Sequence, residues 1–193
     1  MSTTEIKIGG LGGQGVILAG MIIGRGAAIY DGKHATLTQA FGPEARGSAC
    51  SAQVIVSDSP VEYPYVTQPG ILTVLSQEAY NRFSPQLAAD GTLIYEADLV
   101  KPDAKLPATV KKYSIQATRV AEKLKRPMVV NIVMVGFFAA VTKVVDTAAM
   151  RKSVEASVPP GTEALNLKAF DLGYAYGQDI LAGKTPTLLT SAA

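Results

Sequence analysis

Short apolar runs alternate with longer helix-like stretches along most of this chain. Apolar runs bounded by turn residues predict strands, and apolar positions that recur every three to four residues predict helices. The predicted strands are 6–11, 34–39, 49–57, 71–75, 92–95 and 109–113, and the predicted helices are 16–30, 77–88, 114–124, 131–144, 147–158 and 163–181. Because strands that alternate with helices favour a parallel sheet, we predict a Rossmann-like α/β fold, with a mostly parallel sheet and helices on both faces.

No linker or shift in composition divides the chain. We therefore predict a single domain over residues 1–183, followed by an extended tail over 184–193. The predicted helix 131–144 is apolar nearly all round, which is typical of a helix buried on most sides. The first predicted helix contains three glycines, each of which costs about 1 kcal/mol against alanine, so we expect another backbone to pack closely against it.

Composition excludes several classes of function. The chain has 193 residues, of which 48% are hydrophobic and 18% charged, a balance typical of a globular protein. A net charge of +2 provides no electrostatic footprint for nucleic acid. One cysteine, Cys50, excludes an internal disulfide and an iron–sulfur cluster held by this chain alone, and the one histidine, His34, has no neighbouring ligand at metal spacing. We predict no metal site and no catalytic residue in the chain itself.

The sequence contains no segment that addresses it to a membrane. Its first residues move directly into a strand pattern, without the charged and apolar regions of a signal peptide. The longest apolar stretch, 128–141, is interrupted by Asn131 and Gly136 and is shorter than the roughly 20 residues that cross a bilayer. We expect a cytoplasmic protein without membrane contact.

Candidate chemistry begins at the turn between the first strand and the first helix. Residues 10–15 read Gly-Leu-Gly-Gly-Gln-Gly, which matches G-x-G-x-x-G in the strand–turn–helix context that this pattern requires. Glycine is needed because a Cβ would block the tight turn and keep an anion away from the backbone amides, which the helix dipole makes attractive to it. The candidate residues of a phosphate-facing element are Gly10, Gly12, Gly13, Gln14 and Gly15.

This glycine turn leaves three interpretations open. A bound dinucleotide normally needs an acidic residue about 20 positions further on to hold its ribose. The nearest acids are Asp31 and Asp58, and Asp31 precedes the second predicted strand instead of ending it. The turn also lacks the Lys-Ser or Lys-Thr of a P-loop. The other two interpretations are a phosphate-bearing ligand or subunit contact, and a purely structural turn.

A second unusual segment, 39–51, follows the second predicted strand. It places Glu44 and Arg46 between Gly42-Pro43 and Gly47, at the edge where open α/β sheets bind ligands. Arg46 can clamp a carboxylate or phosphate through two hydrogen bonds, with Glu44 orienting it. Alternatively, the two side chains form a surface ion pair worth no more than about 1 kcal/mol. The residues alone favour neither interpretation.

Five parts of the sequence match one known family. They are 10–16 (GLGGQGV), 40–48 (AFGPEARGS), Tyr63-Pro64, Asn131 with the apolar helix around Gly136, and 166–170 (NLKAF) with Gly173-Tyr174. On these residues the chain resembles the γ subunit of thiamine-diphosphate-dependent 2-oxoacid:acceptor oxidoreductases, and the resemblance covers nearly the whole chain. The version at 41–47 is more similar to the 2-oxoglutarate and aryl-glyoxylate branches than to the indolepyruvate branch.

The resemblance implies an accessory γ subunit, inactive alone, in a complex that converts a 2-oxoacid and CoA to acyl-CoA, CO2 and two electrons. It implies that thiamine diphosphate, Mg²⁺ and iron–sulfur clusters, and FAD where a complex contains it, lie in catalytic α and β subunits and a ferredoxin-like subunit. The acceptor is then an iron–sulfur protein or NAD, and this chain binds no cofactor by itself. Matched residue by residue, the backbone of 12–15 faces the phosphates of CoA. The residues matched beside it, at the subunit junction, are Glu44, Arg46, Gly47 and Ser48.

The chain departs from the family in one respect. Single-chain pyruvate enzymes of this family carry a lysine early in the helix after the glycine turn, whereas residues 18–21 here contain no cation. Arg25, Arg46 or another subunit would have to supply the positive charge for CoA. The alternative function is an independent Rossmann-type protein that binds NAD(P) or another nucleotide.

Overall fold

The computed structural model describes residues 2–42 and 49–186. Its strands are β1 (Thr3–Leu11), β2 (His34–Phe41), β3 (Ala49–Ser57), β4 (Ile71–Val74), β5 (Thr92–Glu96) and β6 (Lys111–Ile115). Its helices are α1 (Val16–Arg25), α2 (Gln77–Phe83), α3 (Ala117–Lys123), α4 (Val130–Thr142), α5 (Thr147–Ser157) and α6 (Glu163–Leu181). Each predicted strand and helix is present, with ends that differ by a few residues. The two largest differences are at the ends of the first two helices. The first continues after α1 as a π-helical segment, Gly26–Tyr30, and the second continues after α2 as a 3-10 turn, Ser84–Gln86.

The six strands form one sheet in the order β2-β3-β1-β4-β5-β6. β1, β4, β5 and β6 are parallel, whereas β3 is antiparallel to both β1 and β2. The mostly parallel sheet is therefore confirmed, but the reversal of β3 was not predicted. Its cause is the length of the β2–β3 connection, because a parallel crossover needs a dozen or more residues and this connection is shorter.

Helices cover both faces of the sheet, as predicted, but unequally. Ile6 and Ile8 of β1 belong to a large apolar core that includes buried residues of α1, α3, α4, α5 and α6. The alternate residues of β1 face α2, since a Cβ at Gly9 would lie 2.7 Å from the Phe83 ring. A smaller apolar cluster, which includes Tyr80 and Phe83, fills the space under α2.

α4 and α6 approach each other backbone to backbone. A Cβ at Gly136 would overlap the carbonyl oxygen of Phe170 and lie 3.0 Å from the Tyr174 nitrogen, and one at Gly173 would lie 3.1 Å from the Phe137 nitrogen. Ten consecutive residues of α4, from Asn131 onwards, are buried. The helix predicted to be buried on most sides is confirmed, and it forms the centre of the larger core.

The glycines of α1 explain less than the sequence suggested. A Cβ at Gly20 would lie 2.6 Å from the Cβ of Ala52 on β3, so Gly20 allows the helix to pack closely on the sheet. At Gly24 the nearest atom would be a Val54 methyl carbon at 3.7 Å, an ordinary contact. At Gly26 the nearest atom would be the Met150 sulfur at 3.1 Å. Close packing is therefore found at Gly20, but the nearest atoms at all three glycines belong to side chains and not to a second backbone. Over the described ranges, no helix has both the length and the hydropathy that a membrane span requires.

Candidate functional site

The strand register places the two unusual sequence segments at the same edge of the sheet. Leu11, the last residue of β1, pairs with Ala49, the first residue of β3. Phe41 at the end of β2 pairs with Cys50, and the Gly42 amide donates to the Ala49 carbonyl at 2.9 Å. The two strand ends that flank residues 43–48 therefore lie beside the start of the glycine turn. Glu44, Arg46, Gly47 and Ser48 lie outside the described residues, and their place in the site stays a prediction.

The glycine turn is built from two positive-φ glycines. Gly13 has φ +101° and Gly15 has φ +72°, a backbone region that favours glycine. The backbone N–H of Gln14 donates to the Leu11 carbonyl at 3.0 Å, and Gly15 is the N-cap of α1. Gly13 is exposed, and a Cβ there would meet no described atom within 4 Å. The turn thus presents backbone to open space at the positive end of the α1 dipole, where an anion is favoured.

The Gln14 side chain braces the turn from inside. Its Oε1 accepts a hydrogen bond from the Leu11 amide at 2.7 Å, and its Nε2 donates to the Leu75 carbonyl at 3.0 Å. Leu75 directly follows β4, and its own amide donates to Gly9 at 2.9 Å. A Cβ at Gly10 would lie 2.7 Å from the Gln14 Oε1, so glycine at position 10 makes room for this brace. Contact of Gln14 with a ligand stays a prediction.

Asn131 of α4 supports the turn from the other side. Its side chain is buried and its Nδ2 donates to the Gly15 carbonyl at 3.3 Å. A Cβ at Gly15 would lie 2.6 Å from the Asn131 Cγ, so Gly15 serves both the turn and the close approach of α4. Asn131 was not among the predicted site residues. The signal that could have found it is a single amide in an otherwise apolar run.

Arg25 cannot supply positive charge at the turn. It lies in the last turn of α1, and a helix of 10 residues places it about 15 Å from the first turn. Its Nη1 donates to the Ala156 carbonyl at 2.8 Å and to the Ser157 Oγ at 3.3 Å. The expectation that Arg25 could neutralise a ligand at the glycine turn is therefore wrong, because the guanidinium caps the carboxyl end of α5.

The two acids considered for a dinucleotide ribose lie at the opposite edge of the sheet. Asp31 precedes β2 and forms an ion pair with Lys33 at 3.0 Å. Asp58 follows β3, and hydrogen bonds from the amide and hydroxyl of Ser2 lower the pKa of its carboxyl. Nine residues of β1, about 30 Å, separate this edge from the glycine turn. Neither acid can hold a ribose there.

A buried glutamate lies at the carboxyl end of β5. Glu96, the last residue of β5, is fully buried, and its carboxylate accepts hydrogen bonds from the amides of Asp98, Leu99 and Thr118 at 2.8 to 3.1 Å. Asp98 in turn forms a two-pronged ion pair with Arg119, with both contacts at 2.8 Å, which raises the pKa of the guanidinium. These carboxylates brace the loop after β5, a role that sequence reasoning missed.

Among residues 2–42 and 49–186, no group of three or more His, Cys, Asp or Glu side chains could hold a metal ion.

Comparison with known proteins identifies one family. Residues 5–176 match the family described as pyruvate ferredoxin/flavodoxin oxidoreductase. The chain is 45% identical over 177 residues to 2-oxoglutarate synthase subunit KorC of Methanocaldococcus jannaschii, an alignment that covers 91% of this chain and 95% of that protein.

Solved structures agree with that match. The γ subunit of a keto/oxoacid ferredoxin oxidoreductase from Geobacter sulfurreducens superposes with a TM-score of 0.78 at 38% identity, covering 91% of this chain and 98% of that one. The fold also recurs in the 2-oxoglutarate:ferredoxin oxidoreductase of Magnetococcus marinus, with a TM-score of 0.83 at 20% identity. That alignment covers 97% of this chain and 32% of the longer one.

Proposed function

The chain belongs to the pyruvate ferredoxin/flavodoxin oxidoreductase family, and from this premise we infer that it is the accessory γ subunit of a CoA-acylating 2-oxoacid oxidoreductase complex. The complex converts a 2-oxoacid and CoA to acyl-CoA and CO2, and releases two protons and two electrons. We propose 2-oxoglutarate as the 2-oxoacid, because the relative that is 45% identical is a 2-oxoglutarate synthase subunit. An aryl glyoxylate is the other substrate expected from the sequence, and phenylglyoxylate represents it in the reconstitution assay.

The division of labour that we propose gives this chain a positioning role. Thiamine diphosphate, Mg²⁺ and the iron–sulfur clusters are bound by catalytic α and β subunits and a ferredoxin-like subunit, which act in the cytoplasm. This chain supplies the wall of the site that faces CoA, and it holds the assembly together. It contributes backbone amides and shape, and it performs no chemical step.

The observation that best supports this proposal is the strand register at the start of the glycine turn. Leu11 pairs with Ala49, so the glycine turn begins beside the first residue of β3, the strand that follows Glu44 and Arg46 in sequence. A phosphate of CoA at the turn gains the amides and the dipole of α1. Arg25 is held on α5. We therefore propose that Arg46 or a neighbouring subunit supplies the cation.

An independent NAD(P)-binding protein is not favoured. Asp31 and Asp58 lie at the far edge of the sheet from the turn, and the relatives are subunits of 2-oxoacid oxidoreductases. Calorimetry with NAD, NADP and CoA separates the two functions. Micromolar binding of a dinucleotide by the chain alone would support the independent protein.

Reconstitution tests the proposed role. The α, β and ferredoxin-like subunits are assembled with and without this chain, and reduction of an electron acceptor is followed with 2-oxoglutarate, pyruvate or phenylglyoxylate. We expect CoA-dependent reduction with 2-oxoglutarate only when this chain is present. Full activity without the chain contradicts the proposed function, and a preference for phenylglyoxylate contradicts the substrate.

A substitution at Gly13 tests where CoA lies. A Cβ at Gly13 would meet no described atom within 4 Å, so Gly13→Ala narrows the space for a phosphate without a clash against the described residues. The φ of +101° also strains an alanine there, and the control must share that strain. We expect the KM for CoA in the assembled complex to rise about tenfold, equivalent to about 1.4 kcal/mol. Gly161→Ala is the matched control, because Gly161 also has a positive φ and open space around it, in the loop between α5 and α6. A KM for CoA that is unchanged in Gly13→Ala would favour a structural turn.

A further inference from the structure

Among residues 2–42 and 49–186, no strand covers the outer edge of β2, which is eight residues long. β2 lies at the end of the sheet, and within the described residues β3 is its one strand neighbour. Proteins usually protect such an edge with charged residues, proline or a bulge, because free backbone groups recruit other strands. Residues 35–41 contain no charged residue and no proline. This edge therefore has the character of a strand that another strand covers.

The hydrogen-bond pattern shows which backbone groups face outward. The Gly42 amide donates to the Ala49 carbonyl, so this pair is of the hydrogen-bonded type. Such pairs recur at every second residue of an antiparallel ladder, which assigns Thr36 and Thr38 to bonding with β3. The N–H and C=O groups of Ala35, Leu37, Gln39 and Phe41 consequently point away from the sheet.

The side chains beside this edge are suited to a protein neighbour. Leu37 faces α1, since its Cδ1 would lie 3.2 Å from a Cβ at Gly20. Between α1 and β2 runs an open groove whose lining is mostly apolar but includes Arg25. Two of its side chains, Met21 and Ile29, are 40% and 61% exposed. On the other face of the strand, the hydroxyl oxygens of Thr36 and Thr38 are buried without a hydrogen-bond partner. Unsatisfied buried hydroxyls are uncommon and call for a partner.

We propose that β2 pairs in antiparallel fashion with β2 of a second copy of this chain, about a twofold axis at Leu37. In this register Leu37 lies opposite Leu37 of the second copy, Ala35 opposite Gln39, and Thr36 opposite Thr38. The outward groups then form about six backbone hydrogen bonds. Thr36 and Thr38 form a non-hydrogen-bonded pair, whose side chains lie close together. A χ1 rotation that turns each oxygen, now covered by its own chain, toward the second copy lets the two hydroxyls bond.

The same twofold axis satisfies the remaining features of this edge. It brings the two α1 helices to the same side of the joined sheet, so the exposed Met21 and Ile29 of each copy face the other copy. No like charges meet along the pairing, because residues 35–41 carry none. A second copy therefore meets the backbone, hydroxyl and apolar requirements together. This pairing goes beyond the proposed function and does not depend on it.

The register provides a charge-reversal test in the full chain. Ala35→Lys with Gln39→Lys places lysine opposite lysine twice across the axis, whereas Ala35→Lys with Gln39→Glu places lysine opposite glutamate twice. Sedimentation equilibrium should give a dimer for the wild type and for the Lys/Glu variant. The dimer dissociation constant of the Lys/Lys variant should be higher by about tenfold. Both variants carry Ala35→Lys at a partly buried position. Circular dichroism of the two shows whether either is misfolded, so that a weaker Lys/Lys dimer can be assigned to repulsion between lysines.

Amide exchange gives a second measurement that needs no substitution. The amides of Leu37 and Gln39 should become protected from exchange as the concentration of the wild-type chain rises. A wild-type chain that stays monomeric overturns the proposal, as does a Lys/Lys variant that dimerises like the wild type. A Lys/Glu variant as weak as Lys/Lys overturns the register. Protection of Leu37 that appears only in the assembled complex would assign the edge to another subunit, and would also overturn pairing with a second copy.

Discussion

The contact between α4 and α6 allows a quantitative prediction about Gly136→Ala. The added Cβ would overlap the Phe170 carbonyl oxygen and lie 2.9 Å from the Phe170 carbonyl carbon, and both atoms belong to backbone that cannot rotate away. Relief of the overlap needs a separation of the helices by about 1 Å, which forfeits about half of their dispersion contacts. Overpacking of this kind costs about 3 kcal/mol, the upper end of the usual range.

The helix propensity of alanine opposes this loss only in part. Alanine is favoured over glycine inside a helix by about 1 kcal/mol, so the net destabilisation of Gly136→Ala should be about 2 kcal/mol. For a chain of this size that corresponds to a fall in Tm of about 4–8 °C. Thermal unfolding of the full chain, followed by circular dichroism or calorimetry, measures it.

Gly24→Ala is the matched control, because it makes the same chemical change inside a helix. Its Cβ would meet only a Val54 methyl carbon at 3.7 Å, so the propensity gain remains and Tm should rise by about 2–4 °C. The two variants should therefore move Tm in opposite directions. A Gly136→Ala protein at least as stable as the wild type would refute the backbone-to-backbone contact.

Three further predictions concern polar groups inside the fold. Gln14→Glu turns a donor toward the Leu75 carbonyl into an acceptor, and denaturant unfolding should show a loss of about 1–3 kcal/mol. Glu96→Ala leaves three backbone amides without their acceptor, and the same measurement should show a loss of about 3 kcal/mol. Burial, and next the nearby Arg82, lower the pKa of Lys7, so the folded chain releases that proton at lower pH than the unfolded chain does. Stability should therefore rise with pH from the lowered pKa toward the ordinary value for lysine, and Lys7→Met should remove that rise.

Exposed residues of the same types provide the controls. Gln178→Glu, Glu155→Ala and Lys152→Met alter side chains on the surfaces of α6 and α5, and should change stability by less than about 0.5 kcal/mol. A Gln14→Glu or Glu96→Ala protein that matches its control contradicts the bracing role given to that side chain. A pH profile of Lys7→Met that coincides with the wild-type profile contradicts the effect of burial on Lys7.

Local patterns predicted the elements of this fold and the glycine turn. The turn could be predicted because its glycines, the strand before it and the helix after it are consecutive in sequence. The hydrogen bonds that support the turn could not be predicted in this way. Leu75 lies 61 residues from Gln14 along the chain, and Asn131 lies 116 residues from Gly15. Sequence periodicity carries no information on such distances.

The expectations for the direction of β3 and for the role of Arg25 fail for a different reason. The connection after β2 is too short for a parallel crossover and indicates an antiparallel pair, whereas the alternation of strands and helices indicates a parallel sheet. Arg25 was considered as a source of charge because it follows the glycine turn in sequence. Its distance along α1 and its bond to Ala156 place it at the far end of the helix.

The bond from Asn131 to Gly15 has a consequence for the order in which the protein forms. A turn completed by a residue 116 positions away cannot mature when its own sequence leaves the ribosome, because the loop between the two must first close. During synthesis, α1 and β1 should therefore exist for a time with a loose turn between them. We expect the anion-attracting geometry to appear only after α4 has emerged and docked, which makes it a late event in folding.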